Sequence, residues 1–243
     1  MKFLRRLRSP FLTNVLDVFR GTAIAQIILL LTTPLLTRLF SPGAFGELVL
    51  YQAVLTFGLV GGALRFEHAI LLPEDRRTAF DVALISFVLV SVVSMTLFVI
   101  AGVGYVQLTD RGQDMAVVRM YVAAALLLGG WAQTLNFLAL REKEFRLTAN
   151  AKILRAVTLS IAGVTGGFIR PAGATLMLAD IIGKLAALIL FLEKFWRQLA
   201  AHASGAALSR VLAAAKTYRR FPMVSLPGSM INTATFSITP VMV

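Results

Sequence analysis

Residues 21–46 read GTAIAQIILLLTTPLLTRLFSPGAFG, and this stretch decides how the rest of the chain is read. An apolar segment from Gly21 to Thr37, interrupted by Pro34, stops at Arg38. The chain turns through Ser41-Pro42-Gly43, and a second apolar segment begins after Ala44. Such a turn is equally at home between soluble helices, so the turn alone decides little. The decisive feature is the pattern it begins: apolar segments alternate with basic connections all the way to Val243.

Crossing a hydrocarbon core of ~30 Å takes roughly 20 apolar residues in a helix. Segments of this kind lie at 21–37, 44–64, 79–106, 116–140, 151–169 and 172–192, and a seventh begins near 223. The expected fold is therefore all-α: a polytopic transmembrane bundle of six spans plus the start of a seventh. Composition agrees. Of 243 residues, 58% are hydrophobic and 15% charged, against about 25% charged in an average soluble domain.

The net charge of +12 invites a nucleic-acid partner, but the distribution argues against one. Nucleic-acid binders gather Lys and Arg on one face of a folded domain, whereas here they sit between apolar spans. Topology and anionic lipid headgroups account for them there. Eighteen of the 24 Lys and Arg fall in the N-terminus and in every second connection, and only Arg38, Arg111, Arg119 and Arg170 fall in the others. Cytoplasmic loops carry the excess of such residues, so the reading places the N-terminus in the cytoplasm.

The opening Lys2-Phe3-Leu4-Arg5-Arg6-Leu7-Arg8 has the charge of a secretory signal. The apolar stretch behind it is of full span length without a prompt small-residue cleavage site, so it is read as retained. The expected organisation is a basic cytoplasmic N-terminus over 1–20, a six-helix lobe over 21–192, a basic linker over 193–222, and the start of a second lobe over 223–243. The linker's alanines predict a cytoplasmic amphipathic helix. A last span closing on Pro240-Val241-Met242-Val243, without a polar flank, suggests a truncated chain.

Four ordered stretches carry a family resemblance: PLLTRLFSPGAFG over 34–46, RFEHAILLP over 65–73, Leu135-Asn136 with REKEFR over 141–146 and Arg155 in the fifth span, and YRRFPMVSLP over 218–227. They resemble the polysaccharide flippases, of the O-antigen and exopolysaccharide type, in the multidrug/oligosaccharidyl-lipid/polysaccharide exporter superfamily. The resemblance covers nearly the whole chain but only the first half of such a protein. It implies the first lobe of a two-lobe flippase fold in the bacterial inner membrane. The implied substrate is undecaprenyl-diphosphate-linked oligosaccharide, moved by ion- or potential-driven alternating access with H+ or Na+ as a coupling ion. The missing C-terminal half would complete the cavity, and membrane lipids would be the other partners.

Among candidate site residues, Asp180 and Lys184 stand four apart on one face of the sixth span. Each central charge costs ~2.5–3.5 kcal/mol on the insertion scale, and the ten Leu, Ile and Phe residues of 172–192 return about 3–6 kcal/mol together. The charged face should therefore turn toward protein or water, either as an ion-coupling pair or as a self-neutralising structural one. Arg38 and Arg65 end the first two spans. Guanidinium forks suit the oxygens of a diphosphate, although Arg at a span end also simply reaches to headgroups. The resemblance adds Glu67 and Asn136 to the substrate-binding candidates. Arg155, close behind Lys152, reads as snorkelling to the surface. Gln26, Gln133 and Asn136 are amides within spans, suited to interhelical bonding or to sugar hydroxyls.

No phosphate-binding Gly-rich loop with its Lys-Ser/Thr pair occurs, so the chain is read as a transporter without an ATPase motif and with no cofactor. Cysteine is absent, and His68 and His202 lack metal-ligand spacing, so no metal site is expected. Two other classes stay open: a polymerase or glycosyltransferase using the same lipid carrier, and a drug exporter of the same superfamily. The first is disfavoured by the shortness of the longest outer connection, near Tyr105 to Arg119.

Overall fold

A computed structural model describes residues 10–107, 110–204 and 208–238. Lys2, Arg5, Arg6 and Arg8 of the basic N-terminus, and Pro240 to Val243, lie outside the described residues. The helices, in chain order, are α1 (Pro10–Leu39), α2 (Pro42–Gly62), the single turn α3 (Phe66–Ala69), α4 (Arg76–Gln107), α5 (Asp110–Arg141), α6 (Phe145–Ile169), α7 (Gly173–Ser204), α8 (Leu208–Tyr218) and α9 (Arg220–Ile238). No strand occurs among the described residues. Among the described residues, six helices are long and apolar enough to cross a membrane: α1 from Leu16, α2, α4 to Ile100, α5 from Val118, α6, and α7 to Ala203. This is the architecture of a multi-pass membrane protein.

Helix boundaries follow local chemistry. The Ser41-Pro42-Gly43 turn is the N-terminal cap of α2, with Ser41 Oγ accepting from the Ala44 amide at 3.3 Å and Pro42 in the first turn, where its missing N–H costs nothing. Asp75 Oδ2 accepts from the Thr78 amide at 3.1 Å and caps α4 in the same way. The sixth long helix, expected to stop near 192, continues to Ser204. Phe195 and Leu199 are buried in the main core, so packing carries the helix past the polar Glu193-Lys194 pair. Within 193–222, after the end of α7, α8 is docked on α4 with Ala214 buried and Val211, Ala215 and Tyr218 against the core.

Helices α1, α6 and α7 pack in sequence, as do α4, α5 and α7, while α2 lies across α5, α7 and α9. Contacts alternate in sense. Arg146 meets Asp17 and Lys152 meets Thr22 at one end of the α1–α6 pair, and Phe40 reaches Gly167 at the other. The first end also gathers Arg76 with Glu142 and Asp81 with His202, and forms the basic end of the bundle. Glycines permit the close approaches. A Cβ on Gly130 of α5 would lie 2.6 Å from Val90 Cγ1 of α4, and one on Gly21 would lie 2.5 Å from Ala149 Cα. Outward faces are apolar: Leu30 and Leu31 of α1 are 71% and 73% exposed, which suits lipid or a further helix bundle rather than water.

Candidate functional site

A cleft of about 570 Å³ runs between α2 and α6 over a floor of α5 and α7, from mid-bundle toward the basic end. Its depth is organised by Asp180. This carboxylate, 1% exposed, accepts from Tyr51 Oη at 2.8 Å, from Lys184 Nζ, and from Arg155 Nη2 at 3.2 Å. One α7 side chain thus binds α2, α6 and the next turn of α7. Three donors supply what a carboxylate needs when taken out of water. Lys184, 3% exposed, is enclosed just as tightly, and its stem needs the space left by Gly129, where a Cβ would lie 3.2 Å from Lys184 Cδ and Cε.

Arg155 does not act as a surface anchor. The snorkelling reading is corrected by its bond to Asp180, while its half-exposed side chain lines the cleft. Lys152, one turn earlier, also lines the cleft and donates to Thr22 Oγ1 at 3.0 Å.

The end of α2 supplies the second cluster. Leu64 and Arg65 take left-handed conformations, with φ of 50° and 64°. Two such residues in succession, neither of them glycine, cost roughly 1–3 kcal/mol each. Burial of Phe66, Ala69 and Ile70 holds the reversal in place. The result puts Arg65 and His68 on the cleft wall and Glu67 behind them. Arg65 Nη1 donates to His68 Nε2 at 2.7 Å, which assigns the His68 proton to Nδ1. The His68 ring lies 4.4 Å from Phe137, and burial together with Arg65 lowers its pKa.

Glu67 is the least satisfied acid of the site. Its Oε1 accepts from Gln133 Nε2 at 3.3 Å and lies 4.0 Å from Arg65 Nη1. Its Oε2 is buried with no hydrogen-bond partner among the described residues. Burial raises its pKa to about 7, against the lowering pull of Arg65 and Gln133. Two further buried atoms at the cleft, Arg65 Nε and Thr148 Oγ1, also lack partners among the described residues.

The structure therefore places Arg65, Asn136 and Lys184 on one cleft, with Glu67 behind Arg65 and Asp180 behind Lys184. Arg38 is elsewhere, exposed on the last turn of α1 and not part of the cleft lining. Sequence reasoning passed over Lys152, Tyr51, Thr148 and Gln52. The spacing of Thr148, Lys152 and Arg155 puts them on one stripe of α6, a signal that was present in the sequence.

Four cations (Arg65, Lys152, Arg155 and Lys184) face two carboxylates here, beside the amides of Gln52, Gln133 and Asn136. An excess of cation around polar amides in a low-dielectric wall suits an anion carrying hydroxyl groups. No cluster of three or more His, Asp or Glu side chains able to hold a metal occurs among the described residues. Comparison with protein families, with curated proteins and with solved structures finds no match to this chain.

Proposed function

We propose that this chain is the N-terminal lobe of a bacterial inner-membrane flippase that moves undecaprenyl-diphosphate-linked oligosaccharide from the cytoplasmic to the periplasmic leaflet. The observation that carries the reading is the cationic cleft with its adjoining amides. Diphosphate oxygens accept from guanidinium and ammonium groups, and sugar hydroxyls exchange hydrogen bonds with Gln52, Gln133 and Asn136. The four ordered sequence stretches supply the family.

In this reading the N-terminus and the basic end face the cytoplasm, as the Lys and Arg bias requires. α9 opens the second lobe as a seventh span, and the rest of that lobe closes the cleft from the opposite side. The two lobes rock about the bound headgroup, driven by an ion gradient or the membrane potential. Arg65, Lys152 and Asn136 receive the headgroup nearest the cytoplasm. Asp180 and Lys184 hold the deeper wall, with coupling of an ion at Asp180 or Glu67. A drug exporter for cationic compounds fits less well, since a wall with excess positive charge repels them.

The test is genetic and chemical together. Deleting the gene should deplete surface polysaccharide and leave the lipid-linked repeat unit accumulating at the inner face. Unchanged polysaccharide without accumulation would contradict the proposal.

A further inference from the structure

A second concavity shares no residue with the cleft. It is a groove of about 220 Å³ between α4 and α7, with Leu84 and Phe87 on one wall, Trp131 of α5 in the floor, and Trp196, Ala200 and Ala203 on the other wall. Every residue that lines it is apolar. The floor is fixed: Trp131 Nε1 donates to Ser91 Oγ at 3.1 Å, and the ring meets Phe87 edge-on at 5.3 Å. With its only polar atom turned to Ser91, the indole offers the groove carbon alone.

Lining residues on α7 run from Leu192 to Ala203, about 16 Å along the helix axis at ~1.5 Å per residue. That is close to the depth of one leaflet, about half of the ~30 Å hydrocarbon core. The groove ends at the basic end, where Ala203 adjoins His202 and the buried Asp81. Arg77 lies one turn beyond Asp81 on α4, on the same helix face as Leu84, and is exposed. Exposed Arg197 stands beside Trp196 on α7.

We infer that this groove holds one acyl chain of an anionic phospholipid from the leaflet at the basic end, with the headgroup phosphate against Arg77 and Arg197. An unbranched chain suits a narrow wall of Leu, Phe, Trp and Ala, and the flanking guanidiniums choose a negative headgroup. The inference needs only the membrane setting, so the transport reading stands or falls separately.

The molecule carries its own probes, since its two tryptophans are Trp131 and Trp196 and both line the groove. The experiment places the full chain in bilayers whose phosphatidylglycerol or phosphatidylcholine carries brominated acyl chains and reads tryptophan quenching. Half-maximal quenching should occur at an about fivefold lower mole fraction of the brominated anionic lipid than of the zwitterionic one. Arg77→Gln with Arg197→Gln, both on the surface, should erase that preference. Ala200→Leu with Ala203→Leu should remove the quenching of Trp131 as read in a Trp196→Phe background. Equal quenching of the unaltered protein by the two lipids would overturn the headgroup assignment. A Trp131 shielded from every brominated lipid would overturn the proposal outright, because protein, either further residues of this chain or a second copy, would then fill the groove.

Discussion

Tyr51 Oη donates to Asp180 Oδ2 at 2.8 Å, joining the middle of α2 to the first third of α7 through a tyrosine with no exposed surface. The same oxygen receives Lys184, and the other oxygen receives Arg155. This carboxylate thus adds a polar tie to the apolar packing of Tyr51 and Leu55 against α5 and α7 that positions the α2 wall of the cleft. Removing it would leave two cations without their anion.

Asp180→Asn should cost about 3–5 kcal/mol, the usual penalty for breaking a buried pair from one side. Thermal unfolding of the detergent-purified protein would show it. Asp180→Leu combined with Lys184→Met should cost less than Asp180→Asn, because no buried charge in α7 is then stranded. Equal losses in the two variants would mean that the pair is not coupled.

Tyr51→Phe keeps the ring and removes one donor to Asp180. A hydrogen bond to a charged group is worth about 1.5–3 kcal/mol, and the loss should appear in the same unfolding assay. A neutral result would show that Lys184 and Arg155 alone satisfy the carboxylate.

Glu67 gives the cleft a pH response near neutrality. Its folded pKa of about 7 lies above the ordinary value of 4.5, so the folded state holds this proton more tightly than the unfolded one. The contribution to stability is therefore fully present below pH 4.5 and is lost as pH rises through 7, by roughly 3 kcal/mol at most. Glu67→Gln should flatten this dependence and stabilise the protein at pH 8. Proton uptake also removes one negative charge from the cleft. Binding of a sulfate probe, whose charge is constant over this range, should then strengthen about tenfold between pH 8 and pH 6 in the native protein, and hardly at all in the variant.

Gly130→Leu should separate α4 from α5, since even a Cβ would lie 2.6 Å from Val90 Cγ1. Overpacking of this kind costs about 1–3 kcal/mol. Val90→Ala in the same chain should restore part of the loss, as judged by the yield of monodisperse protein after heating.

Much of the architecture was legible because membrane spans announce themselves by length and apolarity. The Ser41-Pro42-Gly43 turn fell where proline and glycine placed it, as the N-terminal cap of α2. The end of α7 did not, because Glu193 and Lys194 look like a stop when the burial of Phe195 and Leu199 is out of view. At the site, Asp180 and Lys184 stood out as charges within a span. Tyr51 did not, since a lone hydroxyl in an apolar segment has no visible partner until α2 meets α7. Nearness to the surface makes Arg155 look like a headgroup anchor in the sequence, whereas its partner lies 25 residues away on the next helix. Arg38 and Arg65 looked equivalent as span ends. The left-handed turn at Leu64 and Arg65 sends one into the cleft, while Arg38 stays on the outside of α1.

The most direct test of the central claim is binding of a short-chain polyprenyl diphosphate to the purified full chain in nanodiscs, followed by native mass spectrometry. Binding should be saturable and should weaken at least tenfold in Arg65→Gln with Lys152→Gln, at a loss of ~1.4 kcal/mol or more. The matching polyprenyl alcohol should show no comparable binding. Equal retention of the alcohol and the diphosphate, or binding untouched by the double variant, would contradict the claim.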